Sequence, residues 1–410
     1  MGATTDLDRS SWLARTLARR RPDKHSQDWQ TPGCHWHDHT PDDDVRERRH
    51  CKLAAMSVVV VAGARPNFVK VAPLLHASRG RLAVDLVHTG QHYDRSMSGV
   101  FFDQLGIPAA DENLGIPGAQ TAQTMAAFDV YLARRAQPPR GVVVVGDVSS
   151  TMACALAAVA RRIPVAHVEA GLRSFDRTMP EEMYRIVTDG VSDLLFASES
   201  AAIENLAREG RADARLVGNV MIDTLVKQLP AIRNLEMAKR FAATDYIVVT
   251  LHRPSNVDDP MQLALLCEVL AQLATERPVI FPVHPRTRGR LGEVPGVQLI
   301  EPLGYREFLG LVSTARCVVT DSGGLQEETT YLGIPCFTLR TNTERPSTIT
   351  LGTNQLVSDI TRLPALVEAA TRRAPPVIEG WDGHAAERIV ETLAREWMAE
   401  NLSPNHHLIH

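Results

Sequence analysis

The stretch that decides the fold spans residues 141–171 and reads GVVVVGDVSSTMACALAAVARRIPVAHVEAG. Two apolar runs, Val142–Val145 and Pro164–Val168, enclose a segment of helical composition, Thr151–Arg161. Continuous apolar runs of this length are typical of strands that are buried on both faces of a parallel sheet. The stretch therefore predicts a strand–helix–strand unit of the α/β class.

The same alternation continues on both sides of this unit. Toward the N-terminus and just beyond the unit, the pattern predicts strands at Val58–Val61 and Val84–Val87 and helices at Phe68–Ser78, Ala119–Arg135 and Glu181–Gly190. Further on, it predicts strands at Tyr246–Thr250, Val279–Pro282, Val297–Ile300, Cys317–Thr320 and Pro335–Leu339 and a last helix at Gly383–Met398. Two series of this kind indicate two doubly wound sheets.

The expected architecture is therefore α/β, with two Rossmann-like doubly wound domains facing a central cleft. Gly218-Asn219 ends the first series, so we predict domains at residues 56–221 and 222–380. A helix at 381–400 is expected to pack back on the first domain, and a tail follows at 401–410. Ligands of such sheets bind outside the carboxyl ends of the strands, which makes the cleft the expected site.

Composition excludes several classes of function. Of the 410 residues 44% are hydrophobic and 22% charged, and the net charge is -4, without the basic surface that binding to nucleic acid requires. No apolar run approaches the roughly 18 residues of a membrane span. The six cysteines are scattered without a CxxC pair, which favours reduced thiols over disulfides. We therefore expect a cytoplasmic protein without nucleic-acid or membrane partners.

Residues 1–55 differ from the rest because they are polar and lack sustained apolar periodicity. Cys34, His35, His37 and His39 are residue types that bind metals, but no second ligand pair follows at zinc-finger distance. We interpret the segment as a polar, disordered extension and expect no metal site.

Glycines and polar residues mark the end of one strand in the second series. Asp321-Ser322-Gly323-Gly324 follows the strand Cys317–Thr320 and opens a helix that contains Glu328. Glycines allow close approach of the backbone, and free N–H groups at a helix start favour phosphate oxygens. An ordinary tight turn remains an alternative. Glu328 is expected either to bind ribose hydroxyls or to be an exposed helix carboxylate.

Charged residues lie at comparable positions in the first series. Gly63-Ala64-Arg65-Pro66 ends the first strand and Lys70 follows, which suits an anionic ligand and lacks the dinucleotide fingerprint of a nicotinamide site. Asp147 and Glu169 lie at the ends of later strands, and Glu181 lies in the first turn of a helix with Arg185 on the same face. By itself, Glu181 is equally an acid that complements the helix dipole. Three carboxylates at one cleft suit the removal and return of a proton, because burial and mutual repulsion raise a pKa toward neutrality.

Two histidines and two arginines complete the candidate site. His252 and His284 follow successive predicted strands of the second series, and Arg340 and Arg345 lie near its end. A single histidine at a strand end is usually structural, but two beside an expected phosphate site favour a role in binding.

Taken together, the motifs resemble the UDP-N-acetylglucosamine 2-epimerase family over residues 57–400. The matching residues, in order, are Gly63-Ala64-Arg65-Pro66, Thr89-Gly90-Gln91-His92, Gly146-Asp147, His167-Val168-Glu169-Ala170-Gly171-Leu172-Arg173, Pro180-Glu181-Glu182, Gly218-Asn219, Leu251-His252-Arg253, Asp321-Ser322-Gly323-Gly324-Leu325-Gln326-Glu327-Glu328 and Glu344-Arg345-Pro346.

The resemblance implies a GT-B-like fold, a homodimer and the interconversion of UDP-N-acetylglucosamine and UDP-N-acetylmannosamine without NAD or another cofactor. In such enzymes UDP leaves as the C2 proton is removed, a 2-acetamidoglucal forms, and UDP returns after reprotonation on the other face. By the same resemblance, Asp147, Glu169, Glu181 and His252 are catalytic. The implied substrate-binding residues are Arg65, Lys70, Arg185, His284, Leu303, Phe308, Ser322, Gly323, Gly324, Glu328 and Arg345, with uracil at Leu303 and Phe308.

Gln91, Arg253 and His284 match the pocket in which many bacterial members bind a second, activating UDP-N-acetylglucosamine. Asp94 replaces the usual glutamine, and Ala119-Gln120-Thr121 lacks an expected arginine, so we expect no such activation. Three other functions remain open: a hydrolysing epimerase that releases N-acetylmannosamine and UDP, a glycosyltransferase of the same fold, and a UDP-sugar-binding protein without catalysis.

Overall fold

The computed structural model describes residues 57–91, 101–236, 245–283 and 285–398, except for the side chains of Arg65, Pro285 and Arg286. The predicted extension at 1–55, with its cysteine and histidines, lies outside these residues. The same holds for Asp94, His284 and the tail at 401–410.

Seven parallel strands form the first sheet, in the order β3-β2-β1-β4-β5-β6-β7. They are β1 (Val58–Ala62), β2 (Val84–His88), β3 (Glu112–Asn113), β4 (Gly141–Val145), β5 (Val165–Ala170), β6 (Leu194–Ala197) and β7 (Arg215–Leu216). The helices between them are α1 (Arg65–Ser78), α2 (Thr121–Ala133), α3 (Ser149–Ala160), α4 (Pro180–Val191) and α5 (Ser200–Arg208). The central strand β1 is wholly buried, as its unbroken apolar run predicts.

Helix α6 (Val220–Arg233) leads to a second sheet of six parallel strands, in the order β10-β9-β8-β11-β12-β13. The strands are β8 (Ile247–Thr250), β9 (Val279–Pro282), β10 (Val297–Ile300), β11 (Cys317–Thr320), β12 (Cys336–Thr338) and β13 (Asn354–Leu356). The helices are α7 (Pro254–Val257), α8 (Pro260–Glu276), α9 (Pro285–Leu291), α10 (Tyr305–Thr314), α11 (Gly323–Leu332), α12 (Ser347–Thr350), α13 (Leu363–Ala369) and α14 (Ala385–Met398).

The expected α/β class with two parallel sheets is confirmed, and the predicted strands lie where the sequence placed them. The short strands β3, β6, β7 and β13 were missed. Two of them have only two residues and none has more than four, so none forms an apolar run long enough to indicate a strand. Because β6 was not predicted, the polar residues that follow it were not considered as site residues.

The last helix returns to the first sheet. α14 packs against α1, and Trp397 lies so close to β4 that a Cβ added at Gly141 would be 2.5 Å from its ring. The chain thus crosses between the two sheets twice. The two crossing segments touch at Gly218 and Gly380, where a Cβ on Gly218 would lie 1.9 Å from the Gly380 carbonyl oxygen.

Candidate active site

Glu169, in β5, is the centre of a buried ionic cluster. Lys70 Nζ lies 2.7 Å from its Oε1 and 2.6 Å from its Oε2, and Arg345 Nη2 lies 3.1 Å from Oε1. Lys70 projects from α1 in the first sheet's layer, whereas Arg345 follows β12 of the second sheet. All three side chains are at most 5% exposed. Both sheets therefore contribute a cation to one carboxylate.

The backbone at Glu169 is unusual. Its φ is +72°, and the pairing of β5 with β6 shifts register between Val168 and Ala170. A positive φ is uncommon for a residue with a side chain and costs roughly 1–3 kcal/mol, which the surrounding structure must offset. On the neighbouring strand end, a Cβ at Gly146 would lie 3.1 Å from Lys70 Nζ. The glycine leaves room for the lysine that reaches Glu169.

Asp147, at the end of β4, belongs to the same cluster through Arg185. Arg185 Nη2 bonds the Asp147 carboxylate, and its Nη1 lies 3.2 Å from Glu182. Burial alone would raise the pKa of Asp147, but the cations Arg185, Lys70 and Arg345 hold it below its usual value. We conclude that Asp147 is an anion whose place is fixed by α4.

Arg345 has acids on several sides. It pairs with Glu344 and, at 3.1 Å, with Glu327 Oε1, in addition to Glu169. Burial alone would lower the pKa of Arg345, but Glu327, Glu344 and Glu169 raise it well above its usual value. Arg340 also bonds Glu344, at 2.7 Å. Glu327 and Glu344 were not predicted as site residues, although both stand inside motifs that were quoted for the family.

The start of α11 lies directly against this cluster. A Cβ at Gly323 would be 2.6 Å from Arg345 Nη1 and 2.7 Å from Glu344 Oε1, and one at Gly324 would be 2.5 Å from the Met221 Cε atom. Ser322 is the N-cap residue, and its side chain makes no capping hydrogen bond. The glycines are therefore needed for close packing, and Arg345 lies beside the start of a helix, where free N–H groups favour a phosphate.

Asp321 organises the ends of β8 and β11. It accepts hydrogen bonds from the backbone N–H groups of His252 and Arg253, at 3.0 and 2.8 Å, and from Asn256 Nδ2 at 3.0 Å. His252 Nδ1 also lies 3.0 Å from Asp321, and the His252 side chain is 52% exposed. Burial alone would raise the pKa of Asp321, but the contacts with His252 and Asn256 lower it. An ionised Asp321 thus orients His252 toward the open side.

Two further predicted residues line a small pocket beside His252. Leu303 and Phe308 lie with Phe101 and Tyr305 around a cavity of about 200 Å³ at the carboxyl ends of β8 and β9. An apolar pocket that includes aromatic rings suits a flat heteroaromatic ring.

Next to this pocket, Tyr305 donates a 2.9 Å hydrogen bond to Glu328. Glu328 is buried rather than exposed on its helix, and burial raises its pKa to about 8.

The remaining predicted residues lie around the same cleft. Glu181 is partly exposed at the start of α4, and its charge acts on Arg253. Gln91 accepts a 3.3 Å hydrogen bond from Ser150. The side chain of Arg65 and all of His284 lie outside the described part of the chain.

Glu182 is the acid next to Glu181, and it has a different environment. Its carboxylate accepts hydrogen bonds from the N–H groups of Ser174 and Phe175, at 2.8 and 2.9 Å. Of these two consecutive acids on α4, Glu181 thus has an open position and Glu182 has a buried position in which it holds the backbone.

Within the described residues, no three or more His, Cys, Asp or Glu side chains are grouped to hold a metal ion. Over the same residues, no helix combines the length and apolarity that crossing a bilayer requires.

The arrangement suits chemistry on an anionic ligand. It offers a helix start and two cations for phosphates, an apolar pocket for a ring, and carboxylates for proton transfer at the ends of neighbouring strands. Since the groups come from both sheets, a ligand that spans the cleft touches both.

Comparison with known proteins agrees with this arrangement. A sequence profile of the UDP-N-acetylglucosamine 2-epimerase family matches residues 76–394. A UDP-2,3-diacetamido-2,3-dideoxy-D-glucuronate 2-epimerase of Pseudomonas aeruginosa is 41% identical over 83% of this chain and 100% of its own length. A UDP-N-acetylglucosamine 2-epimerase of Methanocaldococcus jannaschii is 39% identical over 74% of this chain and 89% of its own.

Solved structures are similar as well. The M. jannaschii UDP-GlcNAc 2-epimerase in complex with UDP-GlcNAc and UDP has a TM-score of 0.74 and 36% identity, covering 83% of this chain and 100% of that one. The Neisseria meningitidis UDP-GlcNAc 2-epimerase bound to UDP-GlcNAc has a TM-score of 0.72 and 30% identity, with the same coverage. The family profile covers most of the chain, and a relative of that family is 39% identical over 74% of it, so the chain belongs to the UDP-N-acetylglucosamine 2-epimerase family.

Proposed function

We propose that the protein inverts C2 of UDP-N-acetylglucosamine to give UDP-N-acetylmannosamine without net hydrolysis. The observation that carries the proposal is the pairing of Glu169 with Lys70 and Arg345 beside the start of α11. A proton-transferring carboxylate and a diphosphate-binding site thus share the same two cations. Elimination of UDP requires both groups at once, because the C2 proton and the C1 oxygen leave together.

The cations would exchange partners when substrate binds. With the cleft empty, Lys70 and Arg345 neutralise Glu169. A diphosphate at Ser322 and Gly323 lies next to Arg345 and competes for it, because charge-assisted bonds to phosphate are strong. Glu169 would then be released to accept a proton in the same step that secures the leaving group.

The reaction balances without a cofactor. A carboxylate removes the C2 proton, the C1–O bond breaks, and UDP departs with the bonding electrons, leaving a C1–C2 double bond. Return of a proton to the opposite face of C2 and re-formation of the C1–O bond give the epimer. Asp147, Glu169 and Glu181 are the proposed proton carriers, and His252, oriented by Asp321, would support the departing diphosphate.

The nucleotide would occupy the second sheet's side of the cleft. The pocket at Leu303 and Phe308 suits uracil, and Glu328 lies one helical turn beyond the glycines, within reach of ribose hydroxyls. Because phosphate-binding groups come from both sheets, substrate binding would draw the two sheets together and exclude water from the glucal. Exclusion of water favours return of UDP over hydrolysis.

A second candidate is the same inversion on a UDP-linked diacetamido uronic acid. It is favoured by the full-length match, at 41% identity, to the P. aeruginosa enzyme of that specificity. The described uracil pocket and helix start serve either sugar, so the candidates differ only beyond the diphosphate.

Proton NMR in deuterium oxide tests the proposal. Purified protein and UDP-N-acetylglucosamine are incubated without acceptor or cofactor, and anomeric signals are followed with time. A growing UDP-N-acetylmannosamine signal with deuterium at C2 is the expected result. Free N-acetylmannosamine with UDP would replace the proposal by the hydrolysing reaction. An unchanged spectrum, with turnover of the diacetamido uronate in a parallel sample, would establish the second candidate.

A further inference from the structure

Glu199 is a buried acid that the proposed reaction does not use. It follows β6, two residues after the strand ends, and is the N-cap residue of α5. Its exposed fraction is 2%. The adjacent strands β4, β5 and β6 thus each bring one acid to the same edge of the sheet, namely Asp147, Glu169 and Glu199.

The groups that face Glu199 come from the second sheet's layer. They are Glu327 of α11, Arg345, and Ser347 at the start of α12. Neither carboxylate oxygen of Glu199 accepts a hydrogen bond of normal geometry from the described residues. A buried carboxylate that is poorly hydrogen-bonded is costly in its charged form, and protonation removes that charge.

Burial raises the pKa of Glu199 to about 7, and the charge of Glu327 adds to the rise. Ser347 and Arg345 act in the opposite direction but do not cancel it. Near neutral pH, Glu199 is therefore present in both protonation states.

Binding of a diphosphate changes this balance. Arg345 already neutralises part of the charge of Glu169, Glu327 and Glu344. The diphosphate brings two more negative charges to the start of α11. Like charges close together in a partly buried site repel, so the added charge favours the loss of one of them by protonation.

We propose that Glu199 is a positioning residue that takes up a proton when the diphosphate of the nucleotide sugar binds, and that this neutralisation lets Arg345 turn from the carboxylates to the phosphate. The inference rests on the proposed function, since it uses the same diphosphate site. It adds a group that touches neither the sugar nor the reacting atoms.

The sign of the pH dependence follows from linkage. Because the complex binds more protons near neutral pH than the free protein does, affinity is highest at low pH and weakens as pH rises through 7. If binding shifts the titration of Glu199 by about one pH unit, the Kd increases about fivefold between about pH 6 and about pH 8.

Isothermal titration calorimetry tests this with the full chain and UDP-N-acetylglucosamine. Its diphosphate is a diester that does not titrate near neutrality. Titrations at about pH 7 in two buffers of different ionisation enthalpy give the number of protons taken up. Wild-type protein is expected to take up about 0.4 proton per ligand, because Glu199 is about half protonated in the free protein and about nine-tenths protonated in the complex. Glu199→Gln, which mimics the protonated acid, should take up none and should bind about fivefold more tightly than wild type at about pH 8.

Glu204→Gln is the matched control, because Glu204 lies on the same helix with its side chain 64% exposed. It should retain the wild-type proton uptake. Proton uptake that persists in Glu199→Gln, or binding by wild type without any uptake, would overturn the inference while leaving the epimerase proposal intact. A wild-type protein that does not bind the nucleotide sugar would overturn both. Misfolding of Glu199→Gln cannot imitate the expected result, because it would not tighten binding.

Discussion

The carboxyl edges of the two sheets are built for different tasks. At β4, β5 and β6 the first sheet presents the acids Asp147, Glu169 and Glu199, of which the first two are held by long cations. At β8 and β11 the second sheet presents His252, held by the buried acid Asp321, and the start of α11 with its two glycines. The role of the first edge depends on the ionisation of its side chains. The role of the second depends on how closely its backbone can approach a ligand.

The difference indicates that the two edges have different roles in the cleft. Side-chain carboxylates change their charge during proton transfer, so their surroundings must tolerate both states. Backbone donors do not titrate, which suits a group such as a diphosphate that remains anionic throughout. Mutations at the first edge should therefore act on turnover and on pH dependence. Mutations at the second should act on affinity.

The largest effect is expected for Glu169→Gln. Loss of a general base typically lowers turnover by about 100-fold or more. Because the second sheet's edge is unchanged, the Kd for UDP should stay within a few fold of the wild-type value. Initial rates by NMR and Kd by calorimetry measure the two quantities. Wild-type turnover in this variant would remove Glu169 from the catalytic group and break the comparison.

Glu182→Gln should come next, as a loss of stability. Its carboxylate holds the backbone of Ser174 and Phe175 and also contacts Arg185. Charged hydrogen bonds of this kind contribute about 2 kcal/mol to the free energy of unfolding. Urea unfolding measures the change, and Glu181→Gln, at the more open position beside it, is the control. We expect Glu181→Gln to unfold like wild type while its turnover falls. Equal stability losses would show that the two neighbours are not divided as described.

Gly323→Ala probes the second edge. The added Cβ would meet Arg345 Nη1 at 2.6 Å, so the arginine must move away from the start of α11. We expect UDP affinity to fall about tenfold, which corresponds to about 1.4 kcal/mol. Gly190→Ala is the matched helical control, because nothing lies within 4 Å of a Cβ there. Unchanged affinity in Gly323→Ala would mean that the glycine serves packing alone.

Glu328→Gln comes last, because its main effect on stability should be a change in how stability depends on pH. Burial raises the pKa of Glu328 to about 8. Between the unfolded value and about 8 the folded state binds more protons, so wild-type stability falls as pH rises through this window. We expect wild type to lose about 2 kcal/mol more than the variant between about pH 6 and about pH 8, measured by urea unfolding. Parallel pH profiles would contradict a buried, titrating Glu328.

The sequence predicted most of what depends on local pattern. Long apolar strands and the glycines after β11 were recognisable, because burial on both faces and close backbone approach each leave a composition signal. The strand β6 is apolar but has only four residues, too few for a recognisable run, so it was not predicted and Glu199 was missed. The split between Glu181 and Glu182 was not predictable either, because it depends on where the loop at Ser174 folds.

The cluster around Arg345 shows a second limit. Each of its acids is unremarkable in sequence, and only the packing of the two layers brings Glu169, Glu327 and Glu344 to one guanidinium. Whether such a carboxylate titrates depends on distance and burial, which are properties of the assembled fold.

Because α14 returns to the first sheet, the layer built on that sheet comes from two separate segments of the chain. A truncation after residue 218 would remove Trp397 from Gly141 and expose the face of α1 that α14 covers. Neither half is therefore an independent module that a single cut can isolate. A chimaera between relatives must take the residues before Gly218 and those after Gly380 from the same parent. The segment between these two glycines, which forms the proposed nucleotide-binding layer, can then be exchanged as a single insertion.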